Sequence, residues 1–339
     1  MRGHGDRVIA LALAGVASLL ELGPIAALLY QGHDITAVLL AGLAYQVGNA
    51  APRPLQHPLA LGVIALAAAL VLYLASPASA SWLTAIAALS WTLQAVRRNV
   101  AAQSAPTPTA HKRVARVAGF ILATLAPMAV WLALTLAGLA SALTRMRKGA
   151  AAEADVGTKA WTHLEWTMVA HQTHYFSYAY AIPVLIADPL LGGVGAAGFW
   201  FACGWVSYLS AETLWRRFPL RTVFVTGHLC LAAILALLTL TSGAPVLSVV
   251  FWILSGFGGG TVYCLTQLQK NNCGATEQLE RAEDVGHIFG VALALGAVSA
   301  FHFTADDLPA IGAVCALAAA FLLMSLHRDT HPSSAHADQ

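Results

Sequence analysis

The residues best suited to chemistry lie in one apolar segment, which reads Trp161-Thr-His-Leu-Glu-Trp-Thr-Met-Val-Ala-His-Gln-Thr-His-Tyr-Phe-Ser-Tyr-Ala-Tyr180. On an α-helix, at roughly 100° per residue, five of its side chains fall within about 80° of one another. These are His163, Thr167, His171, His174 and Tyr178. A polar stripe on a membrane helix must face the bundle interior or a water-filled cavity, because lipid does not solvate it. The stripe therefore predicts the lining of a substrate or proton pathway, a metal site, or a set of interhelical hydrogen bonds.

Other polar residues are candidate partners of this stripe. Glu165 points to nearly the opposite side of the same helix, and four candidates come from later segments: Glu212, His228, Asp284 and His287. For Glu212 the competing interpretation is an ion pair with Arg216, and for Asp284 it is stabilisation of a helix N-terminus. Imidazoles at this spacing share a metal ion when other helices supply further ligands. We expect no bound cofactor, and the alternative is an iron, copper or zinc site formed by His163, His171, His174, His228 and His287.

Glu21 stands apart from these residues. It lies two-thirds through the first apolar segment, just before Gly23 and Pro24, and no basic residue is near it in sequence. A carboxylate that is removed from water without a partner favours its protonated form. The sequence therefore predicts that Glu21 carries a proton and couples proton movement to transport, with the histidine stripe across the cavity.

Membrane-spanning helices must position these side chains. Of the 339 residues, 58% are apolar and 10% are charged, whereas about 25% are charged in soluble domains. The apolar residues form runs long enough to cross roughly 30 Å of hydrocarbon, where the backbone must satisfy its own hydrogen bonds as a helix. There are eleven runs, and none contains a Lys or Arg: 8–30, 35–51, 58–76, 80–96, 117–142, 161–187, 193–213, 222–241, 245–268, 285–303 and 308–326.

The basic residues predict how the chain is oriented. They occupy alternate connections, so the positive-inside rule places both termini and the basic loops in the cytoplasm. The run 117–142 breaks this alternation, because basic residues flank it on both sides. It is one long helix or a re-entrant hairpin broken at Pro127, which leaves eleven or twelve transmembrane helices. The high alanine content indicates a GC-rich genome, so we expect a multi-pass protein of a bacterial inner membrane.

Two loops in the second half carry a family resemblance. One reads Ala211-Glu-Thr-Leu-Trp-Arg-Arg-Phe-Pro-Leu-Arg221 and is followed by Thr226-Gly-His-Leu229; the other reads Glu280-Arg-Ala-Glu-Asp284 and leads to Gly286 and Gly290. This half resembles the C-terminal six helices of a major facilitator superfamily transporter. The first half resembles the family poorly, because it has five segments in place of six, and its loop Gly48-Asn-Ala-Ala-Pro-Arg-Pro54 lacks the acidic motif.

The resemblance implies an all-α polytopic bundle with two pseudo-repeated halves. The expected divisions are an N-terminal transmembrane half at 1–150, a C-terminal six-helix half at 151–327 and a polar tail at 328–339. Gly23-Pro24 in the first segment and Ile182-Pro183 in the sixth suggest a repeated kink, because proline removes a helical hydrogen bond.

The function that follows is proton-coupled transport, with export expected by analogy, of a small polar or amphipathic molecule. The partners are that solute, protons and the lipid bilayer. No basic block indicates nucleic acid, and no Walker-type phosphate-binding loop indicates ATP. The alternative is a membrane-embedded, histidine-ligated oxidase or oxygenase on a transporter-like scaffold. A third interpretation is a partner subunit without chemistry of its own.

Overall fold

The structure is a computed structural model that describes residues 2–51, 57–103, 109–146, 160–241, 243–272 and 277–325. Its regular structure in these ranges is helical. The α-helices are α1 (Arg2–Tyr30), α2 (Ile35–Ala50), α3 (Pro58–Leu74), α4 (Ala80–Gln103), α5 (Thr109–Leu125), α6 (Met128–Leu143), α7 (His163–Phe176), α8 (Ile182–Ile186), α9 (Gly193–Trp215), α10 (Leu220–Leu240), α11 (Pro245–Gly259), α12 (Tyr263–Asn272), α13 (Glu277–Phe301) and α14 (Leu308–Ser325). Short 3₁₀ turns lie at Pro189–Leu191 and Gly260–Val262.

Six stretches of helix have the length that a membrane span requires. Six stretches of the described chain are long and apolar enough to cross a bilayer: Arg7–Tyr30, Gly193–Trp215, Leu220–Leu240, Pro245–Asn271, Gln278–Phe301 and Leu308–Ser325. Three shorter apolar helices are α2, α3 and α6. The predicted all-α polytopic fold is confirmed.

The run 117–142 forms two helices instead of one long span. α5 begins at Thr109, well before the apolar run, and the break falls at Ala126 and Pro127. Pro127 has extended backbone and precedes α6, because its ring cannot continue the hydrogen-bond ladder of α5. The first half therefore has six helices where the hydropathy pattern indicated five segments. Within the described ranges the bundle has twelve helical passes, with α7–α8 and α11–α12 each forming one.

The two mid-span prolines behave differently. α1 continues through Pro24 as one helix. By contrast, the segment with Pro183 is interrupted by a turn between Phe176 and Ile182, and Pro183 lies in the first turn of α8. Proline is tolerated there because a first-turn N–H has no helical partner. The two proline-containing segments therefore differ in structure: the segment with Pro24 is one continuous helix, and the segment with Pro183 is a helix, a turn and a second helix.

The helix packing of the first half is repeated in the second. Helices α1 and α5 pack together, as do their counterparts α7 and α13 six passes later. The same correspondence relates α2–α4 to α9–α11, α3–α4 to α10–α11, α1–α6 to α7–α14 and α3–α6 to α10–α14. The halves meet through two helix pairs, α2 with α13 and α5 with α9. The correspondence between the halves converts each of these pairs into the other.

Some predicted features fall outside the described residues. These are the division between 150 and 151, residues 104–108 of the Pro/Thr linker, Arg53 with its loop, and the polar tail 328–339. The positions of the described basic residues depart from the prediction in one respect. Arg97, Arg98 and Arg116 are not in loops, because α4 and α5 extend past their apolar runs and carry these side chains on helices.

Candidate functional site

A cavity of about 600 Å³ lies between the two halves. Its walls come from α1, α2, α4, α5, α7, α9 and α13, and the exposed side chains Arg98 and Glu280 stand at its mouth. The cavity therefore opens towards the face that carries the basic residues. At the opposite face, the Tyr30 hydroxyl donates to the Thr124 carbonyl over 2.8 Å, and the Thr124 hydroxyl donates to the Gly195 carbonyl over 3.1 Å. These bonds join α1, α5 and α9 at the closed end.

The cavity walls carry opposite charges. Four cations line the side formed by α4 and α5: Arg97, Arg98, Lys112 and Arg116. Three acids line the α13 side: Glu280, Glu283 and Asp284. Arg98 and Asp284 approach to 3.8 Å, while Arg116 lies 4.5 Å from the centre of the Trp205 ring on α9. Such a cavity suits a polar solute that carries charge, because each wall compensates one sign.

Glu21 lies on the cavity wall beyond the middle of α1. Its side chain is 7% exposed, and within the described residues no hydrogen bond or ion pair holds its carboxylate. Arg116 from α5, Arg97 from α4 and His287 from α13 line the same cavity. Tyr45 and Tyr175 line the same cavity. Glu21 is thus a buried carboxyl group without a direct partner, on the wall of a cavity that also carries cations.

Three histidines form a separate cluster on the other side of α7. His171 and His174 of α7 meet His228 of α10, and one ring nitrogen of each lies within 4.8 Å of the other two. His171 Nδ1 and His228 Nε2 are 2.8 Å apart, and His228 Nδ1 donates to the Phe224 carbonyl over 2.9 Å. The cavity-facing residues of α7 are instead Gln172, Tyr175 and Phe176.

Solved structures share this arrangement of helices. The chain is similar to the crystal structure of nucleoside transporter NupG, with 14% identity, a TM-score of 0.66, and 96% of this chain and 99% of that chain covered. It is also similar to a bacterial metal transporter, with 14% identity, a TM-score of 0.64, and 96% and 98% covered. A third is the human organic anion transporter MFSD10, with 13% identity, a TM-score of 0.56, and 95% and 99% covered.

The chain has the major facilitator fold. At these identities the likeness concerns the fold alone. No protein-family model matches the sequence, and no curated protein is similar to it in sequence. The predicted major-facilitator-like architecture is confirmed over nearly the whole chain, including the first half, where the sequence resemblance was poor. This fold consists of two halves around a central cavity.

Within this major facilitator fold the predicted site residues separate into groups. Glu21, Asp284 and His287 line the central cavity. His171, His174 and His228 cluster away from it, and the buried Tyr178 ring lies 6.2 Å from that of His174. The expected continuous lining is therefore divided, because α7 packs the cluster against α10 with one side and faces the cavity with another.

The other candidates on α7 bond near the start of that helix, and Glu165 also accepts from the Gln269 amide of α12 over 3.4 Å. Glu165 accepts from the backbone N–H and hydroxyl of Thr162, so it caps α7, and the Thr167 hydroxyl donates to the His163 carbonyl. His163 itself is exposed.

For two acidic residues, Glu212 and Asp284, the structure does not support the competing interpretation given from the sequence. Glu212 pairs with Arg113 of α5 at 3.1 Å and not with Arg216, so this ion pair joins the two halves. Asp284 lies in the third turn of α13, which begins at Glu277, so it does not cap that helix.

Sequence reasoning missed most of the charged cavity wall. Arg97, Arg116 and Glu283 lie outside the apolar runs, and that position alone indicates loops. The Gln172 amide donates to Glu283 over 3.2 Å, and Glu283 lies 3.6 Å from His287. Helical spacing could have indicated part of this wall. Arg113 and Arg116 lie one turn apart, directly before the apolar run 117–142, and both belong to α5.

Proposed function

We propose that this protein is a proton-coupled secondary carrier of a small polar or amphipathic solute that bears an anionic group. The observation that carries the proposal is Glu21, buried on the wall of an open cavity that Arg97 and Arg116 also line. The substrates named for the similar structures differ, as they include nucleosides, a metal and organic anions. The shared fold therefore does not select a solute, and the proposal depends on the side chains of this cavity.

The coupling follows from competition for the two arginines. In the absence of solute, Arg97 and Arg116 are the cations on the α4 and α5 walls of the cavity that Glu21 also lines, and cations in a cavity favour the charged form of a carboxylate. A solute whose anionic group binds either arginine removes this compensation, and Glu21 then takes up a proton. His287 and Glu283, on the facing wall, form an adjacent titratable pair. Proton and solute therefore bind together, which is the requirement for symport.

This arrangement bears on the direction of transport. Export driven by protons requires the proton and the solute to compete for one group. The two arginines in the cavity that Glu21 lines favour joint binding instead, so we propose uptake with protons in place of the export expected by analogy. The solute reaches the cavity from the basic face in the conformation described here, which corresponds to the releasing state of such a cycle.

The experiment uses the purified chain in proteoliposomes that contain a fluorescent pH indicator. Uridine, a zwitterionic amino acid and p-aminohippurate are first ranked by the thermal shift they produce. We expect an anionic solute to stabilise the protein and, when added outside, to acidify the interior. Alkalinisation on addition would overturn the joint-binding scheme.

Glu21→Gln tests the role of the carboxylate. This variant should retain the thermal shift and exchange of labelled solute, but lose solute-driven proton movement by at least about tenfold, because the amide cannot take up the coupled proton. The matched control is Asp306→Asn, in the turn before α14 and outside the cavity. Proton movement equal to that of the parent in Glu21→Gln would remove Glu21 from the mechanism.

A further inference from the structure

The cluster of His171, His174 and His228 has the composition of a metal site. The exposed fractions of these side chains are 1%, 0% and 0%, so water does not reach them. Two of them lie one turn apart on α7, and the third comes from α10. The group is independent of the solute cavity, which is lined by other residues of α7.

The hydrogen bonds of the three rings are incomplete. His171 Nε2 and both ring nitrogens of His174 have no hydrogen-bond partner among the described residues. Buried polar atoms are nearly always paired, and an unpaired one in a bundle interior costs free energy. A neutral imidazole has one N–H and one lone pair, so the lone pair of His174 is unused, and the incomplete pairing of the cluster points to a ligand that binds lone pairs.

The tautomer of His228 favours this role. The Phe224 carbonyl only accepts, so His228 Nδ1 carries a proton, and the lone pair of the neutral ring lies on Nε2, towards His171. A backbone carbonyl that orients the distal N–H of a histidine is the usual outer support of a metal ligand. The Phe224 ring also stacks on that of His228, with centroids 3.8 Å apart, and restricts its rotation.

The spacing of the nitrogens suits a shared ion after small side-chain rotations. Three nitrogens bound at about 2.0 Å lie roughly 3.3–3.5 Å from one another. Here the shortest separation is 2.8 Å and the candidate ligand atoms all lie within 4.8 Å. The pair of His171 and His228 must part by about half an ångström, and the proton of His171 must move from Nδ1 to Nε2, so that both facing nitrogens offer lone pairs to the ion.

Charge and coordination number select the metal. The described cluster contains neutral imidazoles and no carboxylate. The cost of burying an ion rises steeply with its charge, so a monovalent ion is favoured where the ligands supply no compensation. A tetrahedral Zn²⁺ site needs a fourth ligand. Thr261 Oγ1 lies 3.4 Å from His228 Nδ1, which is the nitrogen turned away from the cluster.

We propose that His171, His174 and His228 bind Cu⁺ in a three-coordinate site that fastens α7 to α10. The site lies behind the helix that forms one cavity wall, so the ion stiffens that wall and does not contact the solute. The site also retains three of the five histidines that the sequence suggested for an enzyme. With no water access to the rings, it supports a structural or regulatory ion.

Copper binding is tested on the full chain in detergent, with ascorbate to keep copper reduced. Cu⁺ is offered as its coloured bicinchoninate complex, and loss of colour reports transfer to the protein. We expect one equivalent to be transferred to the parent and to His163→Gln, the matched control on the same helix. His174→Gln and His171→Gln should bind at least about tenfold more weakly. Equal transfer to the parent and to both variants overturns the proposal.

A second measurement does not depend on the folding of any variant. X-ray absorption on the copper-loaded parent should show nitrogen neighbours with imidazole scattering. The chain has five cysteines, so sulfur as the main neighbour would assign the copper to them and contradict the site. Preferential binding of Zn²⁺ over Cu⁺ would contradict the charge argument. Glu21→Gln should bind copper like the parent, which separates this proposal from the proposed transport.

Discussion

At the scale of single residues, Tyr180 links α2 to the turn between α7 and α8. Gln46 lines the cavity and its amide donates to the Tyr180 hydroxyl over 2.7 Å, with both side chains buried. The Tyr180 ring lies against Gly42, where a β-carbon would collide with it. This pair therefore holds the first half against the second beside the cavity wall.

Removing the Tyr180 hydroxyl should weaken this link. We expect Tyr180→Phe to lower the free energy of unfolding by about 1 kcal/mol, because the Gln46 amide loses a buried partner inside the bundle. Unfolding of the purified protein in a denaturing detergent series measures the change. Tyr73→Phe, at a side chain that is 55% exposed, is the control and should leave stability unaltered. Equal stability of the two variants would show that the bond contributes nothing.

At the scale of helices, two glycines set the spacing between α13 and α7. A β-carbon at Gly286 would lie 2.6 Å from that of Gln172, and one at Gly290 would lie 2.7 Å from the Thr173 carbonyl. Small residues four apart allow the backbones of membrane helices to approach closely. Since α7 and α13 both line the cavity, their spacing also sets its width.

Enlarging either glycine should separate these helices. Gly286→Ala and Gly290→Ala are each expected to cost about 1–3 kcal/mol of stability through overpacking. Thermal unfolding in detergent measures the loss. Gly296→Ala is the matched control on α13, because a β-carbon at that position would meet no atom within 4 Å. If Gly296→Ala lost as much stability as Gly286→Ala, the cause would be helix flexibility and not packing.

At the scale of the whole molecule, the division of 117–142 into α5 and α6 restores a consistent charge distribution. With twelve passes, the described basic residues lie at the ends of helices that share one face. Arg113–Glu212 and Arg98–Asp284 ion pairs connect the halves at that face. From the positive-inside rule we propose that this face, and with it the cavity mouth, lies in the cytoplasm.

Labelling tests this orientation in intact cells. In a background with its native cysteines replaced, Gln31→Cys in the turn after α1 should react with a membrane-impermeant maleimide. Arg217→Cys, in the turn after α9, should react only after the membrane is opened. Both native side chains are exposed, so a difference reflects the side of the membrane. The reverse pattern would invert the topology and turn the cavity mouth outward.

The sequence by itself determined that this chain is a helical membrane bundle, because the length of each apolar run and the exclusion of Lys and Arg from it are local facts. It also predicted a role for Glu21, since a carboxylate inside such a run is recognisable without any neighbour, and that role stays a prediction. Helix ends were less predictable. α4, α5 and α13 extend past their apolar runs, so Arg97, Arg116 and Glu283 reach the cavity between the two halves.

Only the tertiary structure decided what each side of α7 faces. Helical spacing gives the direction of His171 and Gln172 around the axis, but not the helix that fills that direction. Packing against α10 brings His228 within hydrogen-bond distance of His171, while the approach of α13 places Gln172 beside Glu283 at the cavity wall. Contacts between residues far apart in sequence depend on how the twelve passes pack, and no single segment contains that information.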